Sequence, residues 1–379
     1  MRTATLRSIL LATALFLPAL ACSRSASHGG DNGIAAGTGD AQASAARFER
    51  IMRDHAIPGA QLGHWHRGAY EEFDYGVLRN GAETAVTPRT VFQAASLSKV
   101  VGAYIALRFV DAGRLDLDTP LWDYWHSPRT QDNALARRIT ARMVLNHTTG
   151  LQNWQISPSD PALDATPLES LFPPGQRFSY SGEGFYLLQK TLEHIAGVDW
   201  SELAQREVFA PLDMPSSRYV TDPAFDALNA TGHGKDGSAM RERVFAGANT
   251  AWTLTTNAHD YANFVQRALY RGEGLQAVTH AMMLAESSDA DDQAVPSAAD
   301  PFVSWGLGVG IEQTAKRKLV WHWGDNPGFK ALFVLDPDSG DSIVLFTNSE
   351  NGLSTYREVL ELFMGPGEYP AVDWASSQS

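Results

Sequence analysis

One cysteine in 379 residues rules out an intramolecular disulfide, so the chain is held together by packing and hydrogen bonds. Positive charge is scarce as well: 30 Lys and Arg stand against 43 Asp and Glu, with lysine only at 99, 190, 235, 316, 318 and 330. A phosphate-binding face needs clustered cations, and the one short run, Lys316-Arg317-Lys318, reads as a turn between strands. That excludes nucleic acid as a partner. Apolar runs of the length that spans a bilayer are missing. Metal-ligand spacing is missing too. His64-Trp65-His66 puts two histidines on one face of a strand, but no acidic or cysteine partner stands nearby at ligand spacing. No metal is therefore expected.

What is present points to a large exported globular protein. Hydrophobic residues make up 44% and charged residues 19%, enough to build a substantial core. Residues 1–21 read as a secretory leader: Arg2 and Arg7, an apolar stretch over 9–20, then Ala19-Leu20-Ala21 as a small-residue cleavage site. The sole cysteine, Cys22, follows at once, and Leu20-Ala21-Cys22 resembles the end of a lipoprotein signal, with Ala19 where leucine is usual. Lipidation at Cys22 would be the only membrane attachment, and the protein would be periplasmic. Residues 22–45, rich in Ser, Gly and Ala, read as a flexible tether. A large globular domain over 46–364 and a C-terminal tail over 365–379 complete the expected organisation.

Along that domain the pattern predicts a helix over 45–56, then a strand pair turning near Arg67-Gly68. Between about 115 and 300 the chain reads as helices and long loops, with an exposed acidic loop over 287–300. Four strands between 306 and 348 and a helix over 354–363 follow. Strands at both ends predict an α/β fold of the α+β type: one antiparallel sheet assembled from both termini, flanked by helices, with a mostly helical insertion.

The stretch Ser96-Leu97-Ser98-Lys99 opens a helix that is apolar on nearly every face and stops at Gly113. Residues three apart on a helix are neighbours. Ser96 and Lys99 therefore admit two readings: an N-cap serine beside a snorkelling lysine, or a hydroxyl nucleophile whose base is a desolvated amine. Four residues alone do not choose between them.

Further motifs do. Ser96-Leu97-Ser98-Lys99, Asn146-His147-Thr148-Thr149-Gly150-Leu151, Phe172-Pro173-Pro174-Gly175 with Tyr180-Ser181, Pro211-Leu212-Asp213-Met214 and His322-Trp323-Gly324 stand in the order found in the serine β-lactamase-like family. That family includes class C β-lactamases, penicillin-binding DD-peptidases, D-aminopeptidases, esterases and the CubicO group, and the resemblance spans about 46–364. It implies a β-lactamase/transpeptidase-like fold and no cofactor. It also implies an acyl-enzyme on Ser96, with Lys99 and Tyr180 sharing the proton transfers. The backbone N–H groups of Ser96 and Asp325, beyond Gly324, would form the oxyanion hole, and His322 would line the pocket as a donor. A tyrosine serves as a base where neighbouring cations lower its pKa. His147 is expected to be a structural helix-end residue.

Two departures bear on the substrate. Gly182 stands where many members carry an asparagine that binds an acylamino group, and His322-Trp323 replaces the lysine and hydroxyl residue that hold a carboxylate. Each such charge-assisted bond is worth about 1.5–3 kcal/mol. The expectation is thus hydrolysis of an ester or small amide by an exported serine hydrolase, with Trp154, Trp252 and Trp305 as candidate pocket aromatics. A β-lactamase or DD-peptidase is the alternative, and a ligand-binding pseudoenzyme the third reading.

Overall fold

Along the central strands side chains alternate with period two, and the two sets end in two different cores. The structure, a computed structural model, describes residues 35–291 and 295–378. The expected leader and Cys22 lie outside the described residues.

Helix α1 (Ala35–Asp54) starts well inside the stretch read as a tether. The alanines at 41, 43, 45 and 46 favour helix more than the local serines and glycines oppose it. Phe48, Ile51 and Met52 on its later turns are buried. Strands β1 (Gly59–His66) and β2 (Ala69–Gly76) form the expected hairpin, turning on Arg67 and Gly68 at φ of 52° and 81°. Two successive left-handed residues match the right-handed twist of the flanking strands.

Strand β3 (Phe92–Gln93) leads into α2 (Leu97–Asp111), buried from Leu97 to Leu107 as its all-round apolar sequence demands. The helical middle carries α3 (Leu121–Tyr124), α4 (Ala141–Leu145), α5 (Gly182–Ala196) and α6 (Trp200–Ala204). Strand β4 (Thr255–Thr256), which pairs with β3, α7 (Ala258–Phe264) and α8 (Ala277–Met283) complete it. Then come β5 (Ser288–Asp289), β6 (Val303–Trp305), β7 (Gly310–Gln313), β8 (Lys318–Asn326), β9 (Phe329–Leu335) and β10 (Ser342–Thr347). The loop expected over 287–300 is thus partly an edge strand, and Ala290 is buried.

Among the described residues eight strands form one antiparallel sheet, in the order β2-β1-β10-β9-β8-β7-β6-β5. The first hairpin joins the last strand, with Ala60 opposite Thr347. Helix α9 (Tyr356–Phe363) follows, and the residues read as a tail fold into α10 (Pro370–Ser377), with Trp374 fully buried. Tyr369, Val372 and Trp374 gave too short a pattern to read as amphipathic.

One core lies between the sheet and the helical middle, and receives Val320, Ala331, Phe333, Val344 and Phe346 from the strands. The other lies between the sheet and α1, α9 and α10, and receives Leu62, Trp321, Trp323, Leu332 and Val334. Among the described residues no helix is long and apolar enough to cross a membrane.

Candidate active site

The turn into α2 is strained where it presents its serine. Ala95 sits at φ 49°, a left-handed conformation that costs a β-carbon residue roughly 1–3 kcal/mol. Neighbours hold it there. The Ser98 hydroxyl donates to Ala95 O and accepts from Leu254 N–H at 3.0 Å, and Ala94 N–H donates to Leu254 O at 2.8 Å. The Tyr219 and Tyr261 hydroxyls donate to Ser98 O and Leu97 O at 3.1 and 3.0 Å. Ser96 itself is half-buried, already helical at φ −67°, and its side chain makes no capping bond. The N-cap reading of this serine is therefore set aside.

Its hydroxyl is engaged instead by Lys99, whose Nζ stands 3.0 Å from Ser96 Oγ and 2.8 Å from Ala251 O. Lys99 is 1% exposed. Both partners are neutral oxygens, so no counter-charge offsets the removal of an ammonium from water, and burial brings its pKa down to about 7. At neutral pH the amine is available as a base.

Tyr180 precedes α5, one residue before the N-cap Ser181. Its ring lies 4.9 Å from Lys99 Nζ. Its buried hydroxyl completes no hydrogen bond, although Ser96 is close enough to favour its ionised form. Burial outweighs that influence and pushes the phenol above its usual value. The expectation of a tyrosine made acidic by neighbouring cations is corrected: Tyr180 holds its proton, and Lys99 is the group poised to lose one.

His147 ends α4, as expected, and its ring also stands against Tyr180. Its φ of 57° turns the chain after α4, and its ring lies 4.3 Å from the Tyr180 ring. The Ser181 N–H donates to His147 Nδ1 at 3.1 Å, which places the histidine proton on Nε2. That Nε2–H is buried without a partner. Burial, then the nearness of Lys99 and His322, holds the imidazole neutral.

His322 has the opposite tautomer. Its Nδ1 faces Trp323 O at 2.7 Å and must donate, leaving Nε2 a buried acceptor without a partner. Burial, with Lys99 nearby, lowers its pKa to about 3. The donating His322 of the sequence reading is corrected to a neutral imidazole whose free nitrogen only accepts.

Strand β8 runs directly beside the nucleophile turn. A β-carbon on Gly324 would lie 2.4 Å from Ala94 O and 3.1 Å from Ala95 Cβ, so only glycine fits. Asp325 follows with an exposed side chain, 2.8 Å from Lys330 Nζ, which also meets Glu350 at 2.6 Å. Asn326 donates to Gln93 Oε1 at 2.9 Å and to Trp252 O at 3.3 Å, tying β8 to the segment before Ser96.

Of the candidate aromatics, Trp305 and Trp323 are buried in the core beyond the sheet, where they back Tyr180 at ring distances of 6.1 and 5.0 Å. They form a wall behind the site rather than an open pocket. Trp252 adjoins Ala251, the acceptor of Lys99, and Trp154 lies half-buried over Gly182. Sequence reasoning missed His147, the Ala251 carbonyl and the contact of Trp154 with Gly182; only a motif match flagged the first. His64, weighed as a metal ligand, stacks on His66 at 5.4 Å and meets Phe363 edge to face at 5.1 Å. Among the described residues no group of His, Cys, Asp or Glu is arranged to hold a metal.

This geometry has relatives. Penicillin-binding protein 4 of Amycolatopsis lactamdurans is 25% identical over 337 residues, covering 84% of this chain and 88% of that one. The crystal structure of SurE with D-Leu superposes with a TM-score of 0.72 at 26% identity, over 88% of this chain and 78% of that one. The D-amino acid amidase from Ochrobactrum anthropi SV3, complexed with L-phenylalanine amide, does so with 0.71 at 22% identity, over 86% and 99%. The Beta-lactamase family profile matches residues 45–362, and with the antiparallel sheet and its flanking helices this establishes that the chain belongs to the Beta-lactamase family of serine hydrolases.

Proposed function

We propose that this chain is an exported serine hydrolase that cleaves an ester or small amide through an acyl-Ser96 intermediate. The observation that carries the reading is the Ser96–Lys99 contact of 3.0 Å, made by a lysine whose pKa burial brings to about 7. Neutral Lys99 accepts the Ser96 proton as Oγ bonds to the carbonyl carbon and the carbonyl electrons move onto oxygen. The Ser96 and Asp325 N–H groups receive that oxyanion, which the fit of Gly324 against Ala94 supports. Collapse breaks the bond to the alcohol or amine, which leaves with a proton from Tyr180; Lys99 returns its proton to the phenol side. Water then attacks the acyl carbonyl as Lys99 takes its proton; the bond to Ser96 Oγ breaks, Lys99 returns the proton to Oγ, and the carboxylic acid leaves. The leader over 1–21, the lipid at Cys22, the tether to about residue 45 and the hydrolase domain over 46–364 belong to the same reading.

A second reading, a β-lactamase or penicillin-binding DD-peptidase, is favoured by the relatives: penicillin-binding proteins, a class C β-lactamase and a D-alanine carboxypeptidase. The acceptor-only His322 argues against carboxylate binding at that position.

The test uses the soluble protein from residue 23 and its Ser96→Ala variant. They are incubated with a p-nitrophenyl ester panel, a chromogenic cephalosporin and a D-alanyl dipeptide mimic. Ester turnover lost in Ser96→Ala, with a mass increment at Ser96 in trapped wild type, is the expected result. Cephalosporin turnover exceeding that of every ester moves the assignment to the second reading. No turnover and no increment at Ser96 leaves a pseudoenzyme. Palmitate labelling of the full chain beside Cys22→Ser tests the anchor.

A further inference from the structure

Strand β8 keeps β7 as a neighbour only up to Trp321, which pairs with Gly310. From there to Asn326 its register continues with β9 alone. The two strands join through Pro327-Gly328, a two-residue hairpin closed by Asn326 opposite Phe329. Such a closing pair exchanges both of its backbone hydrogen bonds, so at the next pair, Asp325 opposite Lys330, the N–H and C=O groups turn outward. The Asp325 N–H therefore points away from β9. On that side β7 has ended, and the close fit of Gly324 against Ala94 O brings up the turn that carries Ser96.

Among the described residues no strand lies on that side to fix the peptide. The grip comes from the pair itself. At a non-hydrogen-bonded pair the side chains stand closer, and Lys330 Nζ donates to Asp325 Oδ1 at 2.8 Å. Its other N–H bonds go to Glu350 Oε2 at 2.6 Å and Asn326 O at 3.4 Å. Lys330 is 3% exposed, and its stem runs over Gly352, where a β-carbon would fall 2.6 Å from Lys330 Cβ. Glu350 also accepts from Gly328 N–H at 2.7 Å, so one carboxylate holds both the ammonium and the hairpin turn. Asn326, through Gln93 and Trp252 O, secures the same strand end from the other face.

We infer that Lys330 is a positioning residue for acyl transfer: through its ion pair with Asp325 it fixes the direction of the Asp325 N–H that receives the oxyanion. This rests on the acyl-Ser96 reading. A donor stabilises a developing oxyanion most when its direction is set before the reaction begins. Without the ammonium, the carboxylates of Asp325 and Glu350 would repel each other, and the one-sided strand end would be free to rotate its peptide.

The test compares p-nitrophenyl butyrate with its thiono analogue, in which sulfur replaces the carbonyl oxygen. Sulfur is larger and a weaker acceptor, so it gains less from a well-aimed N–H. Active sites are counted by fluorophosphonate labelling at Ser96 carried to completion. Each variant's oxo-to-thiono ratio of kcat/KM is divided by that of wild type, which cancels intrinsic reactivity. Lys330→Met is expected to lower kcat/KM for the oxo ester roughly thirtyfold per labelled site, and the oxo-to-thiono ratio roughly tenfold. Asp325→Asn keeps the N–H and drops the charge, and should lower the ratio roughly fourfold. Should Lys330→Met not label, Asp325→Asn decides by the same ratio. A merely structural lysine would cost stability and labelled sites but slow both esters alike. A ratio within about twofold of wild type in a labelled variant therefore overturns the inference while acyl-Ser96 stands. Absence of labelling in wild type overturns the acyl-Ser96 reading and, with it, this one.

Discussion

The two faces of the sheet are built to opposite standards. Behind it, Trp305, Trp321 and Trp323 gather around Trp374 of α10 at ring distances of 5.8, 5.8 and 5.4 Å, a mutually supporting aromatic core. In front, the residues that matter are ill at ease: Ala95 is left-handed and Lys99 is buried without a counter-charge, while unpartnered buried polar atoms occur on both faces, in Trp305 and Trp321 behind and in Tyr180, His147 and His322 in front. Strand β8 serves both, sending Trp321 and Trp323 backward while His322 and Gly324 face the nucleophile. Stability and chemistry are thus sought on different sides of the same strand. Local strain at a functional site persists only where its surroundings over-determine it, and the tryptophan face is a rigid part of those surroundings.

That contrast can be broken from either side. The largest effect belongs to the front: Ser96→Ala should lower kcat/KM by roughly 10⁴-fold or more while its melting temperature stays close to wild type, as calorimetry beside ester assays will report. A variant that unfolds instead would mean that Ser96 is structural. Trp374→Ala should do the converse. Urea unfolding is expected to lose about 3–5 kcal/mol, with turnover per labelled Ser96 nearly unchanged below the transition. If turnover per site falls in parallel, the two faces are not separable.

Smaller effects sharpen the picture at Lys99. With its pKa near 7, kcat/KM should climb about fiftyfold from pH 5 to 7 and level off above about pH 8; a flat profile would show that the amine is not the base. The same group should burden the fold. The unfolded chain binds this proton up to lysine's ordinary 10.5, while the folded chain releases it near 7, so the unfolded state is the more protonated between those values. Its contribution to stability therefore rises with pH over that window, and its cost is fully present below about 7. Lys99→Met is expected to stabilise the protein at pH 6 by roughly 1–3 kcal/mol, with the gain shrinking toward pH 10 in unfolding titrations. Equal gain at both pH values would mean packing alone is responsible.

Much of this was legible beforehand because it is written in local pattern. The buried α2, the Arg67-Gly68 hairpin, the four late strands and the Ser96–Lys99 spacing all follow from periodicity over a few residues. What escaped depends on partners far along the chain. Nothing near Lys99 announces that Ala251 O will be its acceptor, and nothing near Gly182 announces Trp154. His322 was legible as a candidate and His147 was not, and neither was legible in its protonation, because a backbone group, Ser181 N–H for His147 and Trp323 O for His322, decides which nitrogen holds the hydrogen. Helix α10 escaped because a single turn or two of mixed residues becomes helical only once Trp374 has a core to enter.

The pairing of Ala60 with Thr347 has a consequence in time. The hairpin of β1 and β2 is made long before its neighbour in the sheet, β10, which is the last of the sheet's strands in sequence order. Ser96 and Lys99 likewise exist long before β8 arrives to stand beside them. Closing so long a loop is entropically slow. The protein should therefore refold on a slow, single late step in which sheet closure and the appearance of a reactive serine coincide, so that partly made chains carry the nucleophile without its reactivity.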